Sequence, residues 1–130
     1  MKLLLDTHIF LWLQTEPERV GAHLATVEEA GTELLVSAVV AWEIAIKSGL
    51  GRLPLPDAPE RYVPERVRLI DGRAVPIEHE HALAVASLPP LHRDPFDRLL
   101  VAQAGGLGVP ILTADPEVAQ YPVDSILVSS

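Results

Sequence analysis

Short, unbroken apolar runs alternate along this chain with longer stretches in which apolar residues recur every three or four positions. Leu3 to Leu5 has no polar alternation, the pattern of a strand buried on both faces. It stops at Asp6-Thr7, residues suited to open a helix, and His8 to Gln14 is the predicted helix. Glu18 to Ala30 reads as a second helix, with Val20, Leu24 and Val27 on one face and Gly31 as its stop. Glu33 to Val36 repeats the buried-strand pattern. Ser37 then serves as N-cap for an apolar helix from Ala38 to Lys47. Beyond the proline-rich loop Leu53 to Pro59, Glu60 to Ile70 is a weaker helix, with Pro64 expected in its first turn or at a kink. Arg73 to Pro76 is a strand, Glu78 to Leu88 a helix, and Pro89-Pro90 a break. A helix from Pro95 to Gly105, a strand from Val109 to Thr113, a short helix from Pro116 to Gln120 and a strand from Ser125 to Val128 complete the reading. Such alternation predicts an α/β fold around a parallel sheet covered on both faces, with functional groups gathered beyond the carboxyl ends of the strands.

Composition narrows the chemistry. The 130 residues suit a single domain, 1–130, and the 48% hydrophobic content suffices for a core. There is no cysteine, which removes thiolate nucleophiles and Cys-ligated zinc together. Ten Lys+Arg against 18 Asp+Glu leave a net charge of −8, which argues against holding nucleic acid on a broadly basic surface. Asp6 and His8 interrupt the opening apolar run before it reaches the length of a leader's core, and no stretch approaches the roughly 20 apolar residues of a membrane span. The expectation is a soluble, cytoplasmic protein.

The acids carry the chemistry. Asp6 directly follows the first strand, and Asp115 lies just past the apolar part of another. Glu43 sits among Val39, Val40, Trp42, Ile44 and Ile46, where a lone carboxylate would lose hydration unless paired, neutralised or metal-bound. Asp94 and Asp97 open the helix at Pro95. Each also has a plain structural reading. Asp94-Pro95 and Asp115-Pro116 are N-cap arrangements, Asp6 can cap too, and Asp97 sits where a capping box would place an acid. Capping does not explain why so many acids accompany strand ends. A carboxylate cluster without cysteine suits a hard divalent cation, Mg2+ or Mn2+. His23, His79 and His81 read as surface residues, and His8 as the one histidine near the acids. Lys47, four residues after Glu43, and Arg98, beside Asp97, are candidate phosphate contacts or plain ion-pair partners. Trp12 and Trp42 read as core or interface residues.

The segments Leu3-Leu4-Leu5-Asp6-Thr7-His8, Ser37 to Lys47 through Trp42-Glu43-Ile44, Leu91-His92-Arg93-Asp94-Pro95-Phe96-Asp97-Arg98 and Ile111-Leu112-Thr113-Ala114-Asp115 together resemble the PIN domain. More narrowly, they resemble the VapC-like ribonuclease toxins of bacterial type II toxin-antitoxin modules. The resemblance implies a three-layer α/β/α PIN-like fold with a central parallel sheet, and Mg2+- or Mn2+-dependent endonucleolytic hydrolysis of RNA leaving 5′-phosphate and 3′-hydroxyl ends. It assigns Asp6, Glu43, Asp97 and Asp115 as catalytic, metal-holding acids. Asp94, Thr7 and Thr113 take supporting positions, orienting a carboxylate or a water. It also implies a cognate antitoxin protein and a homodimer or higher homo-oligomer, in keeping with the many apolar residues of Ile9-Phe10-Leu11-Trp12-Leu13. Two other readings stand beside it. A Mg2+-binding receiver-like signalling domain also gathers acids at strand ends, but needs a lysine after its last strand, and the only lysines are Lys2 and Lys47. A catalytically inactive PIN-like binding module would not need all four acids.

Overall fold

The computed structural model describes residues 1–129. Its strands are β1 (Lys2–Leu5), β2 (Glu33–Ser37), β3 (Arg73–Val75), β4 (Ile111–Thr113) and β5 (Ser125–Leu127). They form one sheet in the order β3-β2-β1-β4-β5, with every neighbouring pair parallel. Helices α1 (Thr7–Thr15), α2 (Leu24–Glu28), α3 (Ala38–Gly49), α4 (Pro59–Leu69), α5 (His79–Ala84) and α6 (Pro95–Leu107) flank it in a three-layer α/β/α arrangement. The central β1 sets Leu3 and Leu4 opposite Leu34 and Leu35 on one side, and Leu4 and Leu5 opposite Ile111 and Leu112 on the other. All seven of these side chains are buried, which is why the strands carry no polar alternation. The chain builds outward from β1 through β2 to β3, then crosses to β4 and β5. The order therefore reverses beside β1, and the carboxyl ends of β1 and β4 flank the crevice where α/β sheets bind ligands.

Local chemistry sets the helix boundaries. The Ser37 hydroxyl accepts from the Val39 amide at 3.0 Å and caps α3. That helix buries Val39, Val40, Glu43 and Ile44, while Trp42 and Ile46 on it and Leu50 at its C-cap are exposed. Trp42 is 49% exposed and meets the Phe96 ring edge-on at 4.6 Å, so it is a surface residue and not a core one.

Four expectations need correction. Residues 18–30 are not one helix. The stretch is a 3-10 segment over Pro17–His23 followed by α2, and it is broken within the 3-10 segment at Gly21, whose φ 64° and ψ −133° lie outside helical geometry and are readily open only to glycine. Val20 and Val27 are still both buried, so the apolar spacing was real although the helix was not continuous. Pro64 lies in the interior of α4 and not in its first turn, where Pro59 stands instead. The helix expected over 78–88 is α5 followed by a 3-10 turn at Val85–Ser87. Finally, His81 is buried and not on the surface. Its Nδ1 accepts from the Glu78 amide at 3.0 Å, closing the first turn of α5.

Candidate metal centre

Asp6 leaves the end of β1 and does two things at once. Its Oδ1 caps α1, accepting from the Ile9 amide at 2.9 Å, while Oδ2 accepts from the Thr113 hydroxyl at 2.5 Å. Burial pushes its carboxyl above the usual range, partly opposed by the bonds from Thr113 and Ile9 and by the nearby His8. Thr113, fully buried at the end of β4, also accepts from the Asp115 amide at 3.0 Å, so one hydroxyl aligns two acids from neighbouring strand ends. Asp115 caps the turn that follows, accepting from the Glu117 amide at 2.9 Å.

Glu43 is 4% exposed in the middle of α3, and its two oxygens explain how it is tolerated. Oε1 accepts from the Thr7 hydroxyl and Oε2 from the Lys47 ammonium, each at 2.5 Å. The bond to Glu43 holds the Lys47 ammonium above its usual pKa, burial opposes this, and the charges of Glu43, Asp94 and Asp97 reinforce it. On α6, Asp94 is the N-cap, accepting from the Phe96 and Asp97 amides at 2.8 and 3.2 Å. Asp97, in the first turn, is pushed up to about 7, chiefly by burial and then by repulsion from Asp94 and Glu43, with His92 pulling the other way.

These side chains share a cavity of about 220 Å³, lined by Asp6, Thr7, His8, Glu43, Lys47, His92, Asp94, Asp97 and Asp115. Four elements supply the acids: the end of β1, the middle of α3, the start of α6 and the end of β4. A larger apolar groove of about 540 Å³, walled by Val36, Ala41, Val63, Val67 and Val75, lies beside α3, α4 and β3 and contains none of them. Beside the acidic cavity and sharing His8 and Asp115 with it runs a second shelf, where the Arg19 guanidinium lies 4.0 Å over the Trp12 ring.

Two residues behave differently from the expectation. His8 does line the cavity, but His92 is the histidine bound to the acids. Its Nε2 lies 2.9 Å from Asp97 Oδ2 and 3.5 Å from Asp115 Oδ2, and its Nδ1 3.2 Å from Glu117 Oε2. The Pro89-Pro90 break, which places residues 91–94 in a loop running into the α6 cap, was the available signal for it. Arg98 does not face the cavity. Its guanidinium donates to the carbonyls of Pro89 and Val85 at 2.9 and 3.2 Å and to the Tyr121 hydroxyl at 3.2 Å. Tyr121 in turn donates to the His92 carbonyl at 3.4 Å, so Arg98 fastens the loop that carries His92.

The donor set fits a hard divalent cation. It consists of carboxylate oxygens, two of them on residues only 4% exposed, with neighbouring acids close enough to raise Asp97 and with just one ammonium to offset them. A bound cation would relieve that repulsion, and Thr7 and Thr113 already hold Glu43 and Asp6 in fixed orientations.

A profile of the PIN domain family matches residues 3–124. Ribonuclease VapC16 of Mycobacterium tuberculosis (strain ATCC 25618 / H37Rv) is 40% identical over 64 residues, which span 49% of this chain and 45% of that protein. Among solved structures, the fold is similar to VapBC2 from Rickettsia felis bound to a DNA fragment from their promoter. That match has a TM-score of 0.74 and 12% identity, and covers 99% of this chain and 100% of the other. VapBC-1 from nontypeable Haemophilus influenzae matches with a TM-score of 0.66 and 14% identity over the whole of both chains. With the profile running from β1 through β4 and past every acid of the cavity, the chain belongs to the PIN domain family.

Proposed function

We propose that this chain is a Mg2+- or Mn2+-dependent endoribonuclease, acting through a single domain over residues 1–130 as the cytoplasmic toxin of a type II toxin-antitoxin module. The observation that carries this reading is the convergence of Asp6, Glu43, Asp97 and Asp115 on one cavity at the carboxyl ends of the central strands. The name of the mycobacterial relative supports the activity, and the complexes among the structural neighbours support a cognate antitoxin partner and a homo-oligomer. The exposed apolar residues Trp42 and Ile46 on α3 and Leu50 at its C-cap support such partners too, since apolar surface gains by leaving water.

When bound, Mg2+ or Mn2+ supplies Lewis acidity toward phosphoryl oxygens and an acidified water. Asp6, Glu43, Asp97 and Asp115 would hold it. Thr7 and Thr113 fix the lone-pair directions of Glu43 and Asp6, and the Asp94 cap fixes the first turn of α6 that presents Asp97. Lys47 gives the cavity wall one positive charge for a phosphate oxygen. The shelf of His8, Trp12 and Arg19 offers stacking and a second positive charge to a flanking nucleotide.

Incubating purified protein with single-stranded RNA and either metal tests the reading, because Asp6→Asn separates its two roles. Asparagine caps a helix about as well as aspartate, so folding should persist. Cleavage should fall by more than the roughly 10–100-fold typical of residues that only support a ligand. Absence of metal-dependent cleavage in the parent protein, or full cleavage by Asp6→Asn, would overturn the assignment.

A further inference from the structure

We propose that His92 is itself a metal ligand of the acidic cavity, binding through Nε2 together with Asp97 and Asp115, and that Glu117 is the positioning residue that orients its ring. This rests on the divalent-cation reading above and adds a nitrogen donor to a site otherwise made of oxygens.

The geometry points this way because both ring nitrogens are engaged from opposite sides. Nε2 faces Asp97 Oδ2 at 2.9 Å and Asp115 Oδ2 at 3.5 Å, two acids brought to one cavity from α6 and from the end of β4. Nδ1 lies 3.2 Å from Glu117 Oε2 and 3.0 Å from the Arg93 amide. With the proton on Nδ1 and donated to Glu117, Nε2 presents its lone pair between the two acids. That is the carboxylate–histidine–metal relay by which proteins fix the tautomer of a metal-bound imidazole. With the proton on Nε2, the ring instead donates to Asp97 and accepts from Arg93. The Arg93 amide donates to the Nδ1 lone pair in that arrangement, so a cation at Nε2 would require the proton to move to Nδ1, where Glu117 is the acceptor that replaces the Arg93 bond. His92, Asp115 and Glu117 also bring their ligand atoms within 4.8 Å of one another. The loop is held for this purpose at its main chain, through Tyr121 to the His92 carbonyl and through Arg98 to Pro89. A nitrogen donor shifts preference toward a transition ion and away from Mg2+, which favours all-oxygen octahedra.

Pulsed electron paramagnetic resonance of the full chain loaded with one equivalent of Mn2+, with Mg2+ competition, tests this without reference to activity. In the parent protein, hyperfine coupling to an imidazole nitrogen is expected. His92→Gln should still bind Mn2+ but lose the coupling, with affinity for Mn2+ lower by about tenfold and affinity for Mg2+ changed far less. Glu117→Gln should keep the coupling and weaken Mn2+ by up to about tenfold, in line with the low end of outer-partner effects. Mn2+ bound without nitrogen coupling, or coupling that survives His92→Gln, would overturn the role of His92 and leave the nuclease reading intact. If the parent protein bound neither ion, both would fall.

Discussion

Asp6 has two oxygens and two tasks, one turned to the α1 amides and the other to Thr113 beside the cavity. Capping and metal-holding are competing explanations in the sequence, yet in the folded chain they are compatible. Asp94 and Asp115 repeat the pattern, each capping while lining the same cavity. Asp97 is different, and it makes acid–base behaviour testable. Its carboxyl is pushed up to about 7 in the fold, against 3.8 as the ordinary value. Between those values the folded chain holds a proton that the unfolded chain has released. Stability is therefore lost as pH rises through this window, and the full cost is present above about 7. In the absence of divalent ions, Asp97→Asn should gain urea resistance relative to the parent protein as pH is raised from 5 to 8. A parent protein that instead gained more than the variant would contradict the burial and repulsion argued here. The same window sets metal affinity, which should rise as the proton leaves. At this scale the acids were legible because an acid at a strand end or inside an apolar helix is conspicuous. His92 and Glu117 were not, because they meet through loop geometry and share no periodicity.

Helices α5 and α6 show how one element fixes another. A Cβ added at Gly106 would come within 2.9 Å of His81 Cδ2, and His81 is buried and bonded into the start of α5. Replacing a helical glycine by alanine ordinarily stabilises by about 0.8–1.0 kcal/mol. Here the collision should win, and Gly106→Ala should lower stability by roughly 1–3 kcal/mol, the usual cost of overpacking. Chemical denaturation reads the sign directly, and a stabilised variant would show that α5 yields easily. Element existence was largely readable from apolar periodicity, but the joints were not. Gly21 breaks the 18–30 stretch through a backbone angle that leaves no trace in the hydrophobic pattern. The spacing between Glu43 and Lys47 worked because residues four apart share a helix face. Adjacency misled for Arg98, because neighbours in a helix point about 100° apart, and the guanidinium reaches the loop at Val85 and Pro89.

For the molecule as a whole, charge is concentrated. Asp6, Glu43, Asp94, Asp97 and Asp115 gather in one cavity with Lys47, leaving thirteen acids against nine Lys and Arg residues elsewhere in the chain. Cation binding should therefore stabilise the fold, by about 2.7 kcal/mol at 100 times the dissociation constant. Mn2+ or Mg2+ should raise the melting temperature of the parent protein by several degrees and that of Asp6→Asn much less. Equal shifts in both would place the cation elsewhere. The parallel sheet was legible from its unalternating strands, whereas the strand order had to be seen, because it depends on which crossovers pack and not on any one segment. That order governs timing as well as shape. The hydrogen bond from Thr113 to Asp6 joins residues 107 apart, and the central strand meets β4 only after everything between has been made. Long-range parallel pairing of this kind forms late and slowly. During folding, then, Asp6 and Glu43 remain unassembled until α6 and β4 bring in Asp97 and Asp115. On the function proposed above, a chain cut short of β4 lacks Asp115 and with it one wall of the acidic cavity, and it should be chemically silent.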